Sequence, residues 1–282
     1  MQTINEDGLT IELNINDLTA KIINSPKANN NIFIPRLINY NSQKYIIQSI
    51  SENSFKGNRF IRSLLVPEDS EIASIEKDSF YGSSIESITL PSSIKELKEG
   101  WCNNTCKLNH VILSPKNKFY TLLGDKIIIG KSDKMSNEND ILVFACRDIE
   151  QAKIPSNIKQ IESFAFSSCE NLISVEFESN SNLNSINKDA FSGTSITQIK
   201  IPVSVNKIGE RSFYDCNDLI SIECANDSKL NLIDKFAFSF SSIERFSFPS
   251  SVKIIGEGSF SWCQNLKSIE FSEDSELEII DK

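Results

Sequence analysis

Apolar residues recur at fixed spacings along most of the chain. A pair of aliphatic residues three positions apart, usually Ile-x-x-Ile, is followed five positions later by a phenylalanine in seven places, and a weaker copy has Cys102 in that column. Within each run, successive members of the column lie 25 or 22 residues apart, so two units span 47 residues. Periods of this length are typical of solenoids, in which each unit buries its apolar face against its neighbours. The phenylalanines are Phe55, Phe80, Phe166, Phe191, Phe213, Phe238 and Phe260.

Each unit also contains a six-residue segment with the pattern L-x-x-V-x-F. Its length, its β-branched residues and the flanking Ser, Asn and Pro predict a short strand. We expect positions one, four and six to point inward, positions two, three and five to face solvent, and successive strands to stack in parallel about 4.8 Å apart. We expect the phenylalanine to lie on a short helical or 3₁₀ turn and to fill the core between units. The predicted strands span 61–66, 85–90, 108–113, 172–177, 196–201, 219–224, 243–248 and 266–271.

Three regions depart from the repeat and divide the chain. Residues 1–45, with an Asp7-Gly8 turn, predict an N-terminal β cap, and repeats follow over 46–113. Residues 114–153 form an irregular insert that adds 17 residues to the 47-residue period, and we expect it to contain a hairpin projecting from the solenoid. Repeats resume over 154–282 and end within a unit without a C-terminal cap, so we expect either a longer natural protein or a truncated product.

Composition and charge exclude several classes of function. The chain has 38 Asp and Glu against 29 Lys and Arg, a net charge of −9, which disfavours nucleic acid as a partner. His110 is the single histidine, so sites that need two imidazoles are excluded. The first residues lack the basic and apolar regions of a signal peptide, and the apolar runs are too short to cross a bilayer. We therefore predict no direct membrane insertion by this chain.

The candidate chemical motifs favour structural roles. The segment 124–132 is similar to a phosphate-binding loop, but five residues separate its glycines where four are required. Cys102, Cys106 and His110 lie four apart, yet zinc needs a fourth ligand. Cysteines in one column recur only every second unit, about 9–10 Å apart, beyond the reach of a disulfide. A bridge between Cys102 and Cys106 stays open. We predict no enzyme, no metal and no cofactor.

The repeat units themselves resemble a known family. The units at 154–177 and 201–222 share the phrases I-P-x-[SN]-[VI]-x-x-I and [AS]-F-x-x-C, and they resemble the BspA-like leucine-rich repeats of surface antigens from bacteria and parasitic protists. The resemblance covers about residues 46–282. It implies a leucine-rich repeat solenoid of alternating 22- and 25-residue units, with a parallel β-sheet on the concave face and short helical or 3₁₀ turns and loops on the convex side.

The resemblance further implies a non-enzymatic recognition module, often adhesive and at a cell surface. We expect it to bind a protein, such as a host-cell or matrix protein, or a glycan. The alternative is an intracellular scaffold for protein partners, which the missing signal peptide favours, so the compartment stays open between surface and cytoplasm. The outward strand positions are the predicted site, and the 114–153 insert is the second candidate. The predicted partner-binding residues are Arg62, Glu86, His110, Ile173, Glu176, Gln198, Lys200, Ile220, Glu223, Glu244, Arg245, Lys267 and Glu270.

Overall fold

The computed structural model describes residues 2–281. Met1 of the predicted N-terminal cap and Lys282 of the last predicted repeat therefore lie outside the described residues. The chain divides into two compact units, one up to Lys126 and one from Ile127 onward. Within each unit, short strands stack in parallel from one repeat to the next, with a spacing of 23 or 24 residues between starts of L-x-x-V-x-F strands in the second unit. The predicted solenoid of stacked parallel strands is confirmed.

Two sheets contain eleven strands of the first unit, counted over residues 2–126. One sheet begins with an antiparallel meander, β1-β2-β3, and continues in parallel through β6, β8 and β10, with β5 paired to β6. The other sheet is parallel and has the order β11-β9-β7-β4. The strands of this unit are β1 Gln2–Glu6, β2 Leu9–Asn14, β3 Thr19–Ile23, β4 Asn30–Phe33, β5 Leu37–Tyr40, β6 Gln43–Ile50, β7 Ile61–Leu65, β8 Ser74–Ile75, β9 Ser87–Leu90, β10 Glu96–Leu97, β11 His110–Leu113 and β12 Tyr120–Leu123.

The second unit, described over residues 127–281, contains one long ladder and three strand pairs. The ladder has the order β13-β14-β16-β18-β20-β22-β24-β26. The predicted L-x-x-V-x-F strands pair as β19–β21 and β23–β25, and β17 pairs with β15, a strand that the pattern did not predict. The strands are β13 Ile127–Gly130, β14 Ile141–Ala145, β15 Gln151–Ile154, β16 Gln160–Ile161, β17 Ser174–Phe177, β18 Ser185–Ile186, β19 Gln198–Ile201, β20 Lys207–Ile208, β21 Ser221–Cys224, β22 Leu232–Ile233, β23 Arg245–Phe248, β24 Ile254–Ile255, β25 Ser268–Phe271 and β26 Ile279–Ile280.

The aromatic column forms the centre of the core. Phe166 and Phe191 stack with ring centroids 4.9 Å apart, and Phe191 and Phe213 stack at 5.2 Å. In the first unit, Phe55 and Phe80 stack at 5.0 Å. All five rings are buried. Because parallel rungs place equivalent residues directly above one another, the repeat in the sequence becomes a continuous stack of rings.

The predicted helical or 3₁₀ turns around these rings are wrong. Residues 2–281 contain no helix of either kind, and the phenylalanines lie on hydrogen-bonded turns. The residue two before the ring and the residue two after it both adopt the left-handed conformation, as at Asp189, with φ 51°, and Gly193, with φ 69°. A right-handed helix needs negative φ at every residue, so two left-handed residues four positions apart prevent one.

The Ile-x-x-Ile segments form strands that the sequence pattern did not predict. From Ile72 and Ile75 onward, the second residue of each pair lies in a two-residue strand, and Ile161, Ile186 and Ile208 occupy equivalent positions on consecutive strands of the ladder. These side chains are fully buried. A two-residue strand carries too little alternation to be recognised locally, and only stacking against equivalent segments supplies its hydrogen bonds.

Two regions that depart from the repeat in sequence, residues 1–45 and 114–153, nevertheless contribute strands that pair with those of the repeats. Within residues 1–45, β4 already pairs with β7 and buries Ile32 beside Leu64, so the strand sheet begins there. Within residues 114–153, β13 and β14 form an antiparallel hairpin, but β14 also pairs in parallel with β16. The hairpin is thus part of the ladder and not a projection from it.

Candidate functional site

The outward positions of the L-x-x-V-x-F strands face solvent in both units. Most of the thirteen predicted residues are exposed, while Arg62 and Glu244 are half-buried. The inward positions are buried along most strands, as at Ile61, Leu64 and Val66. The exceptions include Phe177 on β17, which is half-buried, and Phe271 on β25, which is 46% exposed because no further rung covers it within the described residues. The period-two alternation therefore assigns the two faces correctly along most of these strands.

An apolar stripe crosses the four-stranded sheet of the first unit. Phe33 on β4 is in register with Leu65 on β7, and Ile112 on β11 is in register with Thr89 on β9. Phe33, Leu65 and Ile112 are 57%, 45% and 50% exposed. Single exposed apolar side chains are normal on protein surfaces, but neighbours in one column on adjacent strands form a continuous surface. We call Phe33, Leu65, Thr89 and Ile112 the apolar stripe.

None of the apolar stripe belongs to the predicted partner-binding residues. Leu65 and Ile112 stand at position five of predicted strands, where the prediction favours charged residues. Phe33 falls within the predicted N-terminal cap, so its place on the sheet is not predicted. The signal that could have identified it is the spacing of Ile32 and Ile34, which repeats that of Leu64 and Val66.

The second unit presents a mixed face. Ile173 on the segment leading into β17 and Ile220 before β21 are about half exposed, and Gln198, Lys200 and Glu223 are exposed on the strands β19 and β21. Strand pairing decides which charges meet. Lys267 and Glu244 lie next to paired strands and form an ion pair of 2.8 Å, whereas Glu176 and Lys200 lie on β17 and β19, which are not paired with each other.

The ion pairs of these faces are solvent-exposed. In the first unit, Arg62 Nε lies 3.5 Å from Glu86 Oε1. In the second, the hydrogen bond and the charge of Lys267 lower the pKa of Glu244 below its usual value. Exposed pairs contribute little to stability because water screens them. These ion pairs instead determine how positive and negative charges are distributed on the surface, which affects the choice of partner and the association rate.

The cysteines and the histidine do not assemble into a reactive centre. All seven cysteines are free thiols, and no group of three or more potential metal ligands occurs among residues 2–281. Burial raises the pKa of Cys216 to about 11 and that of Cys224 to about 12. A thiol with a raised pKa is a poor nucleophile at neutral pH. His110 lies exposed on β11, where it is in register with Ser87.

The polar loop of the insert, the second candidate, is anchored at its end. Asp140 is buried and accepts hydrogen bonds from the Ser132 amide at 2.8 Å, the Ser132 hydroxyl at 2.7 Å and Lys159 Nζ at 3.0 Å. Burial raises the pKa of Asp140, but these hydrogen bonds and the charge of Lys159 outweigh it, so the pKa lies below its usual value. The loop is thereby fixed to the ladder while its tip, including Met135, stays exposed.

Comparisons with known proteins agree with this architecture. The profile of a family described as "BspA type Leucine rich repeat region" matches residues 27–123 and 140–267, in six copies. No curated protein matches the sequence. No helix among residues 2–281 has the length and apolar character to span a membrane.

Two solved structures are similar over nearly the whole chain. A leucine-rich repeat protein from Eubacterium ventriosum has 17% identity and a TM-score of 0.58, with 98% of this chain and 91% of that chain covered. A leucine-rich cell surface protein from Faecalibacterium prausnitzii has 17% identity and a TM-score of 0.49, with 96% and 95% covered. At 17% identity, the similarity to the Eubacterium ventriosum protein concerns the fold alone.

Proposed function

Because the chain belongs to the BspA-type leucine-rich repeat family, we propose that it is a protein-recognition module whose partner docks on the outward faces of the L-x-x-V-x-F strands. Solenoids of this kind are typically non-enzymatic, and each rung adds one strip to an extended surface that suits a large partner. The thirteen residues predicted from the sequence, from Arg62 to Glu270, belong to this proposal. Protein is favoured over glycan as the partner.

The observation that carries the proposal is the apolar stripe. A folded chain gains nothing from leaving Phe33, Leu65 and Ile112 half exposed, whereas a partner that covers them gains about 25 cal/mol for each Å² of apolar surface buried. Polar and charged side chains flank the stripe, including Ser63, which hydrogen-bonds Asn31 at 2.7 Å. An apolar centre with a polar rim is the usual anatomy of a protein interface.

A photo-crosslinking amino acid tests the docking surface while the partner is still unidentified. We expect p-benzoyl-phenylalanine in place of Leu65 to give a discrete covalent adduct when the cells that produce the protein are irradiated in contact with host cells and matrix, because this side chain lies inside the interface. The measurement is a mass shift on a denaturing gel. The same amino acid at Lys77, an exposed residue after β8, is the matched control. Equal adducts at both positions, or none at Leu65, would contradict the proposal.

The setting of this recognition belongs to the same proposal. We propose adhesion at a cell surface, to a host-cell or matrix protein, as the family resemblance implies, with an intracellular scaffold as the alternative. We expect protease added to intact cells to cleave the protein while a cytosolic control protein survives, as judged by antibody. Protection of the protein under conditions that cleave a known surface protein would remove the adhesive role and favour the scaffold.

A further inference from the structure

A groove in the second unit arises from the alternation of long and short repeats. Five residues separate Phe177 at the end of β17 from Leu183, and five separate Cys224 at the end of β21 from Leu230. Only three separate Ile201, at the end of β19, from Val205. A short connection therefore lies between two long ones. The long connections form walls, and the short connection at 202–203 lies between them.

The groove has a volume of about 510 Å³ and a partly apolar lining. Val175, Phe177 and Val203 supply apolar surface, whereas Ile201 borders the groove but is itself buried. β17 and β19 are not paired in a ladder, and neither are β21 and β23, so the surface between β17 and β19 is not closed by strand hydrogen bonds. The volume suits one large apolar side chain together with the adjacent backbone of a peptide. We call this cavity the Val203 groove.

Val203 is the residue that sets this groove apart from its equivalents. The other short connections have serine after their proline, at Ser92, Ser156 and Ser250. Val203 is 37% exposed, so its side chain contributes little to the core. A serine at this position is compatible with the repeat, as three other units show. The fold therefore does not require valine at this position, and the valine makes the connection apolar.

The charges around the groove favour a basic partner segment. Glu176, Glu178 and Asp227 line it, against one lysine, Lys200. Glu178 is engaged, since its carboxylate accepts a hydrogen bond from the Ser156 amide at 3.1 Å and lies 4.0 Å from Lys153 Nζ. Neither Glu176 nor Asp227 has an ion-pair partner within residues 2–281. Two carboxylates are thus available to a cation beside the apolar surface.

We propose that the Val203 groove binds an extended peptide segment of a protein partner in which an apolar residue is followed within two positions by Lys or Arg. The apolar side chain packs on Val203 and Phe177, and the cation pairs with Glu176 or Asp227. Recognition of an apolar residue beside a charged one is a common way for a groove to select a peptide. The inference rests on the proposed role in protein recognition and assigns that role a specific subsite.

The test is selection of a phage-displayed library of random linear 12-residue peptides on the full chain. We expect enriched sequences to contain an apolar residue followed within two positions by Lys or Arg. A fluorescein-labelled copy of the most enriched peptide should bind at least about tenfold more weakly to Val203→Lys, because hot-spot residues have effects of this size. Replacing its basic residue with Glu should weaken binding similarly. Fluorescence anisotropy provides the dissociation constants.

The matched control is Ser250→Lys, which places the same side chain on the equivalent short connection of the next repeat pair. We expect it to leave peptide binding unchanged, while Asp227→Asn and Glu176→Gln weaken it. Absence of the apolar–basic pattern, or equal binding to Val203→Lys and Ser250→Lys, would overturn the proposal. Crosslinking at Leu65 tests the apolar stripe independently of the groove. If Leu65 gives an adduct but no peptide depends on Val203 for binding, only the groove proposal is wrong. If a peptide depends on Val203 but Leu65 gives no adduct, only docking on the apolar stripe is wrong.

Discussion

Phe213→Ala is expected to lower the free energy of unfolding by about 3–5 kcal/mol, the usual range for removal of a fully buried phenylalanine. The Phe213 ring is completely buried and stacks on Phe191 at 5.2 Å and on Phe238 at 5.5 Å. Alanine leaves a cavity in the middle of the stack, and the neighbouring rungs cannot collapse into it because their ladder strands are hydrogen-bonded on both sides.

Urea unfolding followed by circular dichroism measures this effect. Phe240→Ala is the matched control, since Phe240 belongs to the turn of the next unit but is 38% exposed. We expect the control to cost less than about 1.5 kcal/mol, because it loses ring contacts with Tyr214 and Trp262 and leaves no buried cavity. Equal losses for the two variants would show that the aromatic column is not the centre of the core.

Asn58→Leu is expected to cost about 2–4 kcal/mol, since it leaves several buried backbone groups without a partner. The buried Asn58 side chain donates to the Ala28 carbonyl at 2.8 Å and accepts from the amides of Phe60 and Ile61 at 2.9 and 3.1 Å. It thereby joins the connection before β4 to the start of β7. Leucine is similar in size but supplies none of these hydrogen bonds.

The same unfolding measurement, together with amide hydrogen exchange, checks this prediction. We expect faster exchange at Phe60 and Ile61, whose amides lose their acceptor. Asn109→Leu is the control, because Asn109 is exposed at position two of a strand segment. A loss for Asn58→Leu no larger than that of the control, with unchanged exchange at Ile61, would contradict a structural role of this side chain.

The part of the fold that the sequence predicts depends on apolar residues that are buried at the same position in every unit. The positions of Leu64, Ile199 and Phe213 in the core follow from spacing alone, because every rung places the same residue against the same neighbours. The exposure of Glu176 and Lys200 follows from the strand alternation. The candidate site is less predictable: which outward residues form a surface depends on strand register, and the apolar stripe required the pairing of β4 with β7.

Sequence alone determined the repeat, its period, the strand faces and the family, since these are encoded locally in every unit. The tertiary structure decided the left-handed turns around the phenylalanines, the ladder of two-residue strands, the pairing of β14 with β16 and the Val203 groove. Each of these depends on hydrogen bonds or walls supplied by another rung. A segment cannot show in its own residues what its neighbours provide once the rungs are stacked.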